Sequence, residues 1–286
     1  MTDATDASTS PSTAHGHVLD AMLALQPREA GVYEGHTHAG YWNMVGPYGG
    51  ATAALMLQSI VQHPDCLGDP VALTVNFAGP VAAGPFRIEA TPVRTNRSTQ
   101  HWTVMLLQDD ANGDQQVTTT ATAVTAVRRE TFSIEDGRPP HMPDPATCER
   151  FDTTGAMEWL QRYDMRVVTG AIPKVWDDSA HEPLSQLWVR DNPPRALDFP
   201  ALAALCDVFF PRVWLRRARR VPAGTVSITT YFHADRAQLA AQGDKHVLGQ
   251  ADAQAFRNGF FDQTAQVWDA EGQLLATTHQ TVYYKE

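Results

Sequence analysis

The sequence predicts an α+β fold in which one unit, an apolar helix packed on an antiparallel sheet, is used twice. Three observations carry that expectation. Ala51 to Val61 is a run rich in Ala, Leu, Met and Ile with no Pro or Gly, apolar on nearly all sides, which marks a helix buried all round. Thr- and Val-rich segments of alternating polarity flank Gly/Asn turns, the pattern of an antiparallel meander. Val71-Ala-Leu-Thr-Val-Asn-Phe77 lines up with Val226-Ser-Ile-Thr-Thr-Tyr-Phe232 at an offset of 155 residues, and Asp110-Ala-Asn-Gly113 lines up with Asp269-Ala-Glu-Gly272. Two copies at that period mean a duplicated domain rather than a solenoid.

The elements follow in order. Residues 1–14 offer almost nothing to bury and are expected to form a disordered tail. Val18, Leu19, Met22, Leu23 and Leu25 have the spacing of a short amphipathic helix. The turn-rich Gly46-Pro47-Tyr48-Gly49-Gly50 then leads into the buried helix. Strands are expected over Val71–Phe77, Phe86–Arg94, His101–Gln108 and Gln116–Val127. The Pro-rich stretch 133–156 reads as a linker between a first repeat, 15–132, and a second, 157–286. In the second repeat, strands are expected over Met165–Ile172 and Leu184–Arg190, then an apolar helical stretch Ala201–Leu215 broken near Pro211. Strands Thr225–Phe232, His246–Arg257, Phe260–Trp268 and Leu274–Tyr284 complete it.

Composition excludes several classes. The chain has 286 residues, 43% of them hydrophobic, and 22 Lys+Arg against 32 Asp+Glu give a net charge of −10. A substantial core is available, and a general nucleic-acid binder is disfavoured because phosphate backbones demand a basic face. Cys66, Cys148 and Cys206 are far apart and form no CxxC pair, so neither a disulfide framework nor a structural zinc site is indicated. The polar N-terminus does not read as a secretory signal, and no stretch is apolar enough for a membrane span, so a cytoplasmic location is expected.

An apolar helix wrapped by an antiparallel sheet and duplicated in one chain looks like a double hotdog fold. The chain resembles the acyl-CoA thioesterase II-like (TesB-type) thioesterases. The resemblance rests on Gly46-Pro-Tyr-Gly-Gly50, on Asn96-Arg97-Ser98 through Gln108, and on Asp207. It rests also on Thr225-Val-Ser-Ile-Thr-Thr-Tyr-Phe-His233 and on Leu274-Leu-Ala-Thr-Thr-His-Gln280. It implies hydrolysis of an acyl-CoA to free acid and coenzyme A, with no metal or redox cofactor, and a homo-oligomer is expected. It also implies that Asp207, Thr225 and Gln280 hold the hydrolytic water. Asp207 is expected at the head of the second-repeat helix, in the place Gly50 takes in the first. A carboxylate can accept a water proton, while Thr and Gln aim that water without competing for the proton. The first repeat lacks the set: Gly50 stands for Asp207, Pro70 for Thr225, and Thr or Val near 122–125 for Gln280. One active site per chain is therefore expected.

Other residues carry weaker signals. Gly49 and Gly50 allow close backbone approach. Arg212, Arg216, Arg217, Arg219 and Arg220 form a basic run that either meets coenzyme A phosphates, Arg216 and Arg217 among them, or is a solvated helix end. Trp42, Met44, Tyr48, Phe77, Phe260 and Phe261 are core residues by default, and some could line an acyl tunnel, Trp42 in particular. His36 and His38 lack a third ligand, and His233 reads as structural or mouth-lining. His279 should face away from Gln280 by strand alternation. A GxSxG elbow, a phosphate-binding GxxxxGK[ST] loop and a GxGxxG turn are all missing. Two rivals stay open: a hotdog enoyl-CoA hydratase or dehydratase, and a non-catalytic acyl-CoA binding module.

Overall fold

The structure, a computed structural model, describes residues 16–286; the expected tail, 1–14, lies outside them. The first repeat holds α1 (Val18–Met22), β1 (Gln26–Glu29), β2 (Val32–His36), α2 (Gly49–Val61), β3 (Asp69–Phe77), β4 (Pro85–Thr95), β5 (Thr99–Asp109) and β6 (Gln115–Ala126). The second holds β7 (Tyr163–Thr169), β8 (Ser185–Asp191), α3 (Phe199–Leu205), α4 (Arg212–Arg217), β9 (Ala223–Phe232), α5 (Arg236–Gln242), β10 (Val247–Asp252), β11 (Phe256–Arg257), β12 (Phe260–Trp268) and β13 (Leu274–Tyr284). Among these residues no helix is long and apolar enough to cross a membrane.

All strands join one antiparallel sheet in the order β1-β2-β4-β5-β6-β3-β9-β13-β12-β10-β8-β7, with β11 on β12. The order reads as the same arrangement outward from the centre in both directions. The middle is the β3–β9 pair, in which Thr74 lies opposite Thr229 and their hydroxyls bond at 2.9 Å. These two residues are 155 apart, the same offset the letters show, so a pseudo-twofold axis passes between them. Even the irregularities repeat: the register slips past Val71 in β3 and past Val226 in β9. The acidic turns match as well, Asp110 Oδ1 accepting from the N–H groups of Asn112 and Asp114, and Asp269 Oδ1 from those of Glu271 and Gln273. Gly113 and Gly272 hold φ of +84° and +87° there, a conformation open to glycine at no cost.

The concave face of the sheet wraps α2 and α3, which pack on each other across the seam. Residues Gly50 through Leu57 of α2 are all buried, as is every residue of α3, so the all-round apolarity of these helices is explained by contact on every side. On the opposite face, Trp188, Leu248 and Trp268 form a small separate cluster with Met142, Cys148 and Leu274. Strand alternation puts these three outside because their neighbours Leu187, Val247 and Val267 point inward. The Pro-rich stretch covers them: the Trp188 indole N–H donates to the Pro143 carbonyl at 2.9 Å, and Arg166 donates to the carbonyl of Pro145 at 2.7 Å.

Several elements differ from expectation. The stretch 201–215 is two short helices, α3 and α4, separated by residues 206–211 rather than one kinked helix. The stretch 246–257 is two strands, β10 and β11, with a bend between them. The hairpin β1–β2 and helix α5 are additions, β1 being exposed at every position and so without a periodic signal.

Candidate active site

The three polar residues singled out in the second repeat come together. The Gln280 side-chain amide, from β13, donates to Asp207 Oδ1 at 2.8 Å, and the Thr225 hydroxyl, from β9, donates to Gln280 Oε1 at 3.2 Å. Gln280 is buried and its neighbour His279 is exposed, as strand alternation requires. The slip at Val226 sits beside Thr225, and such a bulge re-aims the residue next to it.

Asp207 is not at a helix head. It lies one residue past the cap of α3, in the break before α4, and the N-cap of α3 is Asp198, whose carboxylate accepts from the Ala201 N–H. Pro211 is the N-cap of α4 and disfavours helix at residue 210, so one helix does not run on through 211. Gly50 is thus the facing partner of Asp207, not its equivalent. The Gly50 N–H, at the head of α2, lies close enough to the same carboxylate to hold its pKa down. A Cβ on Gly49 would lie 2.8 Å from Asp207 Oδ2 and 3.3 Å from the Phe77 ring; one on Gly50 would lie 2.5 Å from the Ala204 carbonyl oxygen. Both positions therefore require glycine for close approach. The N–H groups of the first turn of α2 have no partner within the helix, and its dipole points at Asp207.

Burial raises Asp207 to about 7 against the opposing hydrogen bonds from Gln280 and the Gly50 amide. No histidine or other ionised group pairs with it among the described residues. A half-buried carboxylate near 7, held by the Gln280 amide and facing a helix head, can take a proton from a water while the free amides receive developing negative charge.

The same site is dismantled at the pseudo-symmetric position. Pro70 occupies the place of Thr225, as expected. Strand register assigns Ala123, not a Thr or Val, to the place of Gln280: Gln280 pairs with Ile228, whose repeat mate Leu73 pairs with Ala123. The head of α3 carries Phe199 and Pro200 where α2 has Gly49 and Gly50, and proline has no N–H to offer.

The remaining candidates fall elsewhere. Trp42 closes a one-turn helix, Ala39–Tyr41, bridges to Pro47 and makes no hydrogen bond to Asp207, Thr225 or Gln280. Arg212 is neither phosphate ligand nor solvated end. It is fully buried, donating to the carbonyls of Phe210 and Pro183 at 2.9 Å each and to Ser185 Oγ at 2.7 Å. Arg216 donates to the His181 carbonyl, and Arg217 pairs with Glu286 and Asp178. Arg219 and Arg220 are exposed, the latter over the Trp176 ring. His233 lies at the far end of β9 from Thr225, bonded to Thr277, so it is structural. Phe261 is core, stacked on Phe256, while Phe77 walls the site beside Gly49. No group of residues suited to a metal ion occurs among the described residues. Tyr48, of the Gly46–Gly50 turn, is buried as expected and stacks at 4.2 Å on Trp159, which carries no motif of its own in the sequence.

Residues 38–126 match the family described as acyl-CoA thioesterase N-terminal domain, and residues 135–284 match the acyl-CoA thioesterase C-terminal domain. No curated protein matches the chain. Among solved structures, a hot dog fold protein of unknown function from Alicyclobacillus acidocaldarius is 46% identical, with a TM-score of 0.88 over 95% of this chain and 99% of its own. A candidate thioesterase II from Thermobifida fusca YX is 20% identical, with a TM-score of 0.80 over 96% and 100%. Acyl-CoA thioesterase II TesB2 from Mycobacterium marinum is 19% identical, with a TM-score of 0.73 over 93% and 98%. The last two speak for the fold alone.

Proposed function

The chain belongs to the acyl-CoA thioesterase family and is a thioester hydrolase; from that premise we propose that it hydrolyses an acyl-CoA by direct attack of water, with Asp207 as the general base. The observation that carries the reading is the unbroken chain from the Thr225 hydroxyl through Gln280 to the Asp207 carboxylate. Water held between Thr225, Gln280 and Asp207 adds its oxygen to the thioester carbonyl carbon and gives its proton to Asp207. The free N–H groups of α2's first turn take the oxyanion. When the tetrahedral intermediate collapses, the carbon–sulfur bond breaks and Asp207 returns the proton to the departing thiolate. The products are the acid and coenzyme A, and no acyl-enzyme forms: the thiol adjacent in sequence to Asp207, Cys206, is buried and pushed well above the usual range, which leaves it a poor nucleophile. The coenzyme's phosphates meet the arginine-bearing segment 216–220, which leads directly into β9 and Thr225. Arg219 and Arg220 are the most exposed of that run. A hydratase would use a histidine paired with the carboxylate, and Asp207 has none.

The test is thiol release from short, medium, long and aromatic acyl-CoAs by wild type and Asp207→Asn. Turnover by the wild type that collapses in the folded variant supports the reading. Equal turnover in both removes Asp207 from the mechanism, and binding without release from any substrate makes the chain an acyl-CoA binder.

A further inference from the structure

We infer that Tyr48 is a positioning residue: by holding the Ala204 carbonyl, its hydroxyl ties the head of α2 in the first repeat to the turn that carries Asp207 in the second. The inference rests on the reading of Asp207 given above. The Tyr48 hydroxyl donates to the Ala204 carbonyl at 2.7 Å, and the N–H of Asp207 itself reaches that carbonyl at 3.2 Å. One oxygen thus receives the residue before Gly49 and the backbone of the catalytic carboxylate. The phenol is 2% exposed, and its ring lies on the Trp159 indole at 4.2 Å with planes 3° apart, braced by the edge of Tyr163 at 6.1 Å. A Cβ on Gly50 would lie 2.6 Å from the Tyr48 ring and 2.5 Å from the Ala204 oxygen, so phenol, glycine and carbonyl are packed without slack.

Tyr48 is the N-cap residue of α2, yet its side chain makes no capping bond. Its hydroxyl reaches across the seam instead. The helix-head amide that meets Asp207 is two residues further on. A hydrogen bond in this place sets the gap between two elements from different repeats, and a displacement of about 1 Å at a reacting group costs on the order of 100-fold in rate. The stack would survive as phenylalanine, so the hydroxyl is separable from the packing.

The groups that face Asp207 are the Gln280 amide from β13, the Gly50 N–H from α2, the Tyr48 and Tyr163 hydroxyls, and the Cys206 thiol beside it. Burial pushes both phenols and the thiol up, so all stay neutral through the working range. Loosening α2 withdraws the Gly50 N–H, a group that holds Asp207 down, so the acidic limb of the rate profile moves to higher pH.

The experiment compares wild type, Tyr48→Phe and Asp207→Asn as full chains, by kcat, KM, pH profile and melting temperature with an acyl-CoA that the wild type turns over. The expected result for Tyr48→Phe is a kcat lower by about tenfold or more, KM within about threefold, and an acidic limb shifted upward. An unchanged kcat and limb, a change confined to KM, or a loss in proportion to unfolded protein overturns the inference. Should the phenylalanine variant not fold, Trp159→Phe retains the hydroxyl but weakens the stack that aims it. There a lower kcat supports the inference and an unchanged one overturns it. If Asp207→Asn is as active as wild type, the reading beneath is wrong whatever Tyr48 does. If Asp207→Asn is dead and Tyr48→Phe normal, only the role of Tyr48 falls.

Discussion

Asp207 carries opposite demands, and their signs can be worked out. Burial lifts it to about 7, so its ionised, proton-accepting form is populated only as pH rises through that value, and kcat/KM should climb with pH across it. Stability runs the other way. An acid whose folded value is raised keeps its proton in the fold while the unfolded chain has already lost it, so its contribution is fully present below about 4 and is lost as pH rises toward about 7. Asp191, 3% exposed and also raised to about 7 by burial, adds to the same trend. Asp207→Asn removes this cost while keeping a carbonyl oxygen for the Gln280 amide. Turnover should fall by about 100-fold or more, while the melting temperature rises, and rises more at pH ~8 than at pH ~5. A variant that loses activity and stability together at pH ~8 would contradict the account of a strained, half-buried base. Gly49→Ala is the complementary case: its methyl would stand 2.8 Å from Asp207 Oδ2, so the carboxylate or the helix head must shift. A loss of kcat with the fold intact is expected, checked by thiol release and circular dichroism.

Segments with a repeating pattern were legible from the letters, and those held by single long-range contacts were not. The buried helix α2, the meander β3 to β6 and the closing strands declare themselves by period and by turn chemistry. Helix α5 also has a signal in its letters: Asp235 and Gln238 form a capping box, each side chain bonding the other's backbone N–H. The break between α3 and α4 is only half legible. Pro211 announces it, but what holds the two ends is Arg212, whose buried guanidinium ties Phe210, Pro183 and Ser185. Its hydrogen bonds go to backbone carbonyls and a hydroxyl, with Asp252 the carboxylate that acts on its charge, and such a residue reads in sequence like any other member of a basic run. Arg212→Met would leave those acceptors unpaired in the core, at roughly 1–3 kcal/mol each. The variant should unfold at clearly lower denaturant concentration than wild type, whereas Arg219→Met, at an exposed position, should not.

The duplication was visible because both copies kept the strand at the seam, where Thr74 and Thr229 face each other across the pseudo-axis and the offset is imposed by pairing. The site was legible only in part because it is assembled across that seam. Its carboxylate and amide come from one repeat and its helix head from the other, and no spacing in the chain records that Gly50 faces Asp207. The mismatch between halves has a consequence for the number of working sites. A second site would need a free helix head, a strand hydroxyl and a side-chain amide near β3. The chain supplies Phe199-Pro200 at the helix head, with the Ala201 N–H already taken by Asp198, Pro70 in place of the hydroxyl and Ala123 in place of the amide. On the proposed mechanism each loss removes a different function: oxyanion donation, water orientation, and support of the base. Restoring one would recover nothing, since the reaction needs them together. Calorimetric titration with a non-hydrolysable acyl-CoA analogue should therefore give one molecule bound per chain, and the residual turnover of Asp207→Asn should be indifferent to substitution near Pro70. Two bound per chain, or a residual rate in that variant that vanishes on substitution near Pro70, would show that the first repeat still works.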